Sequence, residues 1–236
     1  MNDSEVLELI GAENRDRIVG AYTRMTENGA SPEELARVME DMVVASRAGA
    51  SVDGEALARR SLEELGITYD PRDLRIRERG TTAIREAAER AARERDRIAQ
   101  AVATVLETDD PEQLAMRLGR LALAESISAA RETNSGIMRR TRNVKGWTRQ
   151  LDSDPCQLCQ WWARDGRIWP ADHTMPTHPG CACAQSWTTV PGISIRMVGL
   201  RAQEESERRA AAGTLAERRT MGEGTWSKRS TRGGNG

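Results

Sequence analysis

Phenylalanine is absent from the 236-residue chain, and aromatic residues make up only 3% of it. A core without Phe has to be assembled from Leu, Ile, Val, Met and Ala, which suits packed helices better than sandwiched sheets. Histidine is almost absent as well, His173 and His178 being the only two. The chain therefore has no HExxH metal pair, and it also lacks a Gly-rich phosphate loop and a G-x-S-x-G elbow. The enzyme classes built on those motifs find no support, and we expect a non-enzymatic protein. No run approaches the roughly 20 apolar residues that a membrane-spanning helix needs. The opening MNDSEVLELIGAEN carries acids where a secretory signal has a basic region and an apolar run, so a reducing cytoplasm is the expected site of synthesis.

The formal net charge of −1 conceals an asymmetry. Residues 1–70 hold fifteen Asp/Glu against seven Arg, so the remainder carries +7. An acidic front and a basic rear point to different neighbours for the two ends.

Apolar residues recur at helical spacing through most of the chain. Val6, Ile10, Ile18, Tyr22 and Met25 predict a helix over 4–28 that Gly29 ends. Ser31-Pro32-Glu33-Glu34 supplies an N-cap, a proline at N1 and a Glu at N3. The helix that follows is expected to bury Leu35, Val38, Met39, Met42 and Val43 and to stop near Gly49. A third is expected from Asp53 to Leu65, closed by Gly66, with an irregular connection over 67–80. From 82 to 107, Ile84, Ala88, Ala91, Arg95, Ile98, Val102 and Val105 form a heptad seam broken by one Arg. The seam fits the core face of a helical hairpin, or self-association with a second copy. Asp110-Pro111-Glu112-Gln113 opens the partner helix, which presents Leu114, Leu118, Leu121 and Ala122 and is expected to end by Asn134-Ser135-Gly136.

The chemistry is concentrated between Trp147 and Trp187, which contains all four cysteines, both histidines and five of the six tryptophans. Cys156-x-x-Cys159 is followed by His178-x-x-Cys181-x-Cys183. A Cys-x-x-Cys turn aims two sulfurs at one point, and a second such group completes a tetrahedral zinc site. Cys156, Cys159, His178, Cys181 and Cys183 are five ligands for four positions, with His173 a weaker sixth. Two disulfides are the alternative, since four is an even number, and a local apolar core is the plainest reading. No thiol is marked out as a base-activated nucleophile.

Arg139, Arg140, Arg142 and Lys145 precede this stretch and Arg149 lies at its start, with no acid among them. They read as a phosphate- or partner-binding patch, or equally as a solvated charge cluster. Trp161 and Trp162 could stack on bases, but the mini-core of a small zinc module is the expected use. Beyond Trp187, Val190–Ile195 looks like a turn and short strand, 201–220 like a sparsely apolar helix, and the Gly/Ser/Arg-rich end like a flexible tail.

The fold expected is mainly α: N-terminal helices over 1–70 and a long helical hairpin over 80–136. A basic linker with a zinc-knuckle-like Cys/His module and short strands follows over 137–200, then a polar helix and basic tail over 201–236.

The Cys/His stretch resembles the signature of the phage Mu F-like minor head proteins, the phage head-morphogenesis family. In that family an Arg/Glu/Ala-rich helix leads through a Trp-containing segment to D-x-x-C-x-x-C, a Gly, and P-x-H-P-x-C-x-C. The matching residues are Trp147, Cys156, Cys159, Gly166, Pro176, His178, Pro179, Cys181 and Cys183, and the helix with Arg120, Glu125, Ala129, Ala130 and Arg131 is similar to the family's preceding helix. Asp154 lies one position nearer the first Cys than in the pattern, Ala124 replaces a Thr, and Ala182 occupies a spacer that is often basic. The resemblance spans roughly residues 80–187. It implies a minor capsid protein present in few copies in the virion, bound near the portal vertex to portal and capsid components and acting in head assembly or DNA delivery. Structural zinc and contact with packaged DNA through the basic segment and tail would accompany that role. A cellular zinc-ribbon protein that binds nucleic acid or regulates would use the same motif and basic run.

Overall fold

Asn2 opens the first helix, α1 (Asp3–Glu27), with a full capping box: its side chain accepts from the Glu5 amide, and the Glu5 carboxylate accepts from the Asn2 amide. Ser31 caps α2 (Pro32–Glu64) by accepting from the Glu34 amide. Asp110 does the same for α4 (Pro111–Arg140), which follows α3 (Thr81–Leu106). Each cap satisfies amide donors that the first helical turn leaves without a partner. Gly29 and Gly66 follow the ends of α1 and α2 with φ of +74° and +66°. This computed structural model describes residues 1–68 and 81–191, with the side chains of 81–88, 90 and 91 excepted. The tail, the helix expected over 201–220, and most of the 67–80 connection and the 190–195 strand lie outside those residues.

α2 is one helix where the sequence predicted two. Gly49 and Gly54 are helical, and the buried stripe Met39, Val43, Ser46, Ala50, Gly54, Leu57, Ala58 and Leu62 passes through them without a change of phase. Tertiary packing overrides the weak helix propensity of glycine here. Gly54 serves a purpose, because the α4 backbone at Ala130 passes directly over it. α4 likewise continues beyond Gly136 to Arg140, since Asn134 and Ser135 are buried and Ser135 Oγ bonds the Gln185 side chain.

The core runs along α4. At one end Ile18 and Tyr22 of α1, Met39 and Val43 of α2, Ile98 and Val102 of α3, and Leu114 and Leu118 of α4 share a cluster. In the middle Leu7, Ile10, Ala50, Leu57, Ile127 and Ala130 meet Ala182 and Ala184. At the far end Ala58, Leu62, Ile137 and Met138 meet Val144, Trp147, Met175 and Trp187. The front helices, the hairpin and the Cys/His module are thus parts of one packed body. α4 packs chiefly on α2 and α1, with α3 lying mainly on α2. Within the described residues the seam of α3 faces this core: Ile98 and Val102 are buried, and the interrupting Arg95 turns outward to pair with Glu40 and Asp41 of α2. Ile84, Ala88 and Ala91 fall among the side chains outside the described set.

Glu125 is a carboxylate buried among the helices. Its carboxylate receives Arg47 of α2 at 2.6 Å and Arg97 of α3 at 2.5 and 2.8 Å, fastening three helices at one point. No helix of the described residues is long and apolar enough to cross a membrane.

Among the described residues three short strands form a sheet, in the antiparallel order β2 (Trp169–Pro170), β1 (Gly146–Gln150), β3 (Ala184–Thr188). Trp147 is opposite Trp169 on one side and Trp187 on the other, so three tryptophans line up across the sheet. The basic run from Arg139 is therefore not a plain linker: its end is the central strand. Gln150 at the end of β1 also ties the start of the chain, accepting from the Ser4 amide at 3.2 Å while its carbonyl accepts from Ser4 Oγ at 3.3 Å.

Candidate metal centre

The sheet delivers the cysteines to one place. After β1 the chain turns through Asp152 into the short helix α5 (Gln157–Ala163), with Cys156 at its N-cap and Cys159 one turn on. Arg164 and Asp165 adopt left-handed φ of 49° and 51°, which turns the chain sharply back towards β2. The loop after β2 brings in His178, and a turn closed by the Cys181 amide on the His178 carbonyl at 3.2 Å aims Cys181 at the same point. Cys183 sits immediately before β3.

Cys156, Cys159 and His178 form one group whose ligand atoms lie within 4.8 Å of one another, and Cys159, Cys181 and Cys183 form another. Cys159 belongs to both. His178 Nε2 is 3.2 Å from each of the Cys156 and Cys159 sulfurs, and the Cys159 and Cys181 sulfurs are 3.6 Å apart. Ligands on a tetrahedral zinc ion with Zn–S of 2.3 Å stand about 3.5–3.8 Å apart, so these separations fit a metal ion with little movement. The five residues expected as ligands fall into these two overlapping groups. His173 is in neither: its ring stacks on Trp169 at 4.5 Å, and its carbonyl accepts from the Trp147 indole.

Burial pushes the Cys159 thiol up to about 12. Cys181 is pulled down to about 5, first by the bond from Cys183 and also by Arg131, while Cys183 is raised by the same bond. Cys156 is lowered by the backbone amides of Cys159 and Leu158, which point at its sulfur. His178 stands above the usual imidazole value although burial pulls it down, because the Pro179 carbonyl and the Cys181 and Cys156 sulfurs favour its charged form. A divalent ion would replace the protons that the buried sulfurs now share.

Cys159, Cys181 and Cys183 are buried, with Leu151 and Trp162 packed against them. Trp162 is thus part of the mini-core, as expected. Trp161 is not, being 67% exposed.

Of the five basic residues singled out, Arg139, Arg140, Arg142 and Lys145 are on the surface. Arg149 is buried inside the cluster, and this corrects its assignment to a surface patch. It shares a strand face with Trp147, two positions earlier, and that alternation is the signal from which its burial could have been read. Sequence reasoning also missed the part played here by Arg131 on α4, which donates to the Cys181 carbonyl, and Asp152, which accepts from the Ala182 amide at 3.0 Å. Arg131 falls on the buried stripe of its helix, one position after Ala130.

No family model matches the chain, and neither a curated protein nor a solved structure matches it.

Proposed function

We propose that this protein is a minor head protein of a tailed bacteriophage, acting without enzymatic activity at or near the portal vertex in head assembly or DNA delivery. Structural zinc on the Cys/His cluster is part of the reading. A zinc ion held by four protein ligands has no open position for an activated water and serves as a cross-link between chain segments. Cys156, Cys159, His178, Cys181 and Cys183 would hold it, one of them in excess.

The observation that carries the reading is the meeting of residues that the head-protein resemblance names far apart in sequence. Arg131, from the helix that precedes the signature, bonds the carbonyl of Cys181 at its end, and Trp147 is buried with Met138 of the same helix. The exposed Arg139, Arg140, Arg142 and Lys145 supply a positive face for portal, capsid or packaged DNA.

Quantitative mass spectrometry of purified virions tests the role, with elemental analysis of the isolated protein beside it. A few copies per head and one zinc per chain are expected. Absence from particles, with tight binding to duplex DNA, would overturn the proposal in favour of a cellular zinc-ribbon protein.

A further inference from the structure

Two guanidinium groups are buried against the sulfurs, and among the described residues neither has a carboxylate within ion-pair distance. Arg149 is 6% exposed and Arg131 9%. Arg149 Nη1 lies 3.8 Å from the Cys159 sulfur and 4.0 Å from the Cys181 sulfur. Its Nη2 donates to the Pro176 carbonyl, and the Trp162 ring stands 5.2 Å from the guanidinium carbon. Arg131 donates to the carbonyl of Cys181, and the Nε atoms of both arginines have no partner.

A buried cation without a counter-ion is strongly unfavourable, and a chain keeps one only where something supplies negative charge. Among the described residues, the negative charge nearest the two guanidiniums is offered by the sulfurs, with the Asp152 carboxylate beside Cys183 but not paired with either arginine. A divalent metal with three thiolates and an imidazole carries about −1, and with four thiolates about −2. Either charge needs compensation in a buried site, and two guanidiniums provide it. The planar fork of arginine can also touch two sulfurs and a carbonyl at once, which a lysine ammonium cannot do as well.

We infer that Arg149, supported by Arg131, is the positioning counter-charge of the thiolate metal centre and takes no part in phosphate binding. The inference rests on the zinc reading above. Arg149 orients Cys159 and Cys181 toward the metal, fixes the 176–181 loop through Pro176, and offsets the charge that the thiolates bring into the core. It belongs to the site itself.

The test uses the full chain as wild type, Arg149→Met, Arg149→Lys and the surface control Arg139→Met. Zinc affinity is measured by competition with a chromophoric chelator, and Co2+ charge-transfer bands report the number of bound thiolates. Loss of an outer-shell partner weakens metal binding about 10- to 100-fold. Arg149→Met should fall in that range, alkylate faster when zinc-loaded, and release metal at a higher pH than wild type. Arg149→Lys should recover part of these losses, which a purely packing role would not allow, and Arg139→Met should match wild type in zinc affinity. Should Arg149→Met fail to fold by circular dichroism, Arg131→Met carries the same comparison. Wild type that binds zinc while Arg149→Met binds it within twofold would overturn this inference and leave the zinc reading standing. So would loss of duplex-DNA binding in Arg149→Met at unchanged zinc affinity. Wild type that takes no metal overturns both.

Discussion

Gly54 of α2 lies beneath the Ala130 carbonyl of α4 so closely that a Cβ built on it would be 2.2 Å from that oxygen. The neighbour is backbone on a buried helix, so the clash can be relieved only by moving the helices apart. Gly54→Ala should destabilise the protein by about 1–3 kcal/mol, the usual range for overpacking. Urea unfolding would read this as a lower midpoint at unchanged slope.

Gly49, five residues earlier on the same helix, has open space around its missing Cβ. Gly49→Ala should therefore stabilise, by roughly 0.5–1 kcal/mol, through helix propensity and a less flexible unfolded chain. Equal effects at the two positions would contradict the packing described for Gly54.

Glu125 accepts from both Arg47 and Arg97, and its side chain is only 10% exposed. Glu125→Ala removes the most buried partner of Arg47, itself 14% exposed and left with Glu94 and Glu132, and should cost about 1.5–3 kcal/mol. Glu132, which reaches the same arginine from a 68% exposed position, should cost less than about 1 kcal/mol when removed. A thermal melt of the two variants side by side would separate them.

Glu94 belongs to the same network, and its carboxyl is held below the ordinary range, first by the bond from Arg97 and then, against burial, by the charge of Arg47. A folded-state value below the unfolded one gives stability that is present above the unfolded value and is lost as pH falls through the folded one. Glu94→Gln should thus be less stable than wild type at pH 7, by no more than about 1 kcal/mol for a group this exposed. The gap should narrow as pH falls below about 4. A gap of constant size from pH 7 into strong acid would mean the charge is not its source.

Zinc loading at pH 7 should release protons, since the Cys159 thiol stands at about 12 and Cys183 is also raised in the metal-free chain. Calorimetry in buffers of different ionisation enthalpy should give at least about one proton per ion. Chelation should then speed amide exchange over 151–183 while β1 and β3 stay protected, because Trp147 and Trp187 are packed on α2 and α4 independently of the sulfurs. Uniform loosening of the whole chain would show that the metal supports more than its own module.

The helices were legible wherever punctuation and periodicity agreed, as at Ser31-Pro32 and Asp110-Pro111, where local chemistry alone decides the start. Gly49 misled because its place inside α2 is set by a buried stripe that only the assembled bundle needs. The five ligands could be read from spacing, a local property. The convergence on Cys159 and the diversion of His173 into a tryptophan stack could not. Each depends on the register of β1 against β2 and β3, and that pairing joins residues up to some forty positions apart.

The stitch between Ser4 and Gln150 sets a timetable for synthesis. α1 leaves the ribosome long before β3, yet Leu7 and Ile10 share their cluster with Ala182 and Ala184. A nascent chain halted before residue 146 would cover these two side chains only in part, with Ala50, Leu57, Ile127 and Ala130, and would have a long loop still to close. α1 is made before the sheet that completes its surroundings, so its full set of neighbours is assembled only when β1 and β3 have paired.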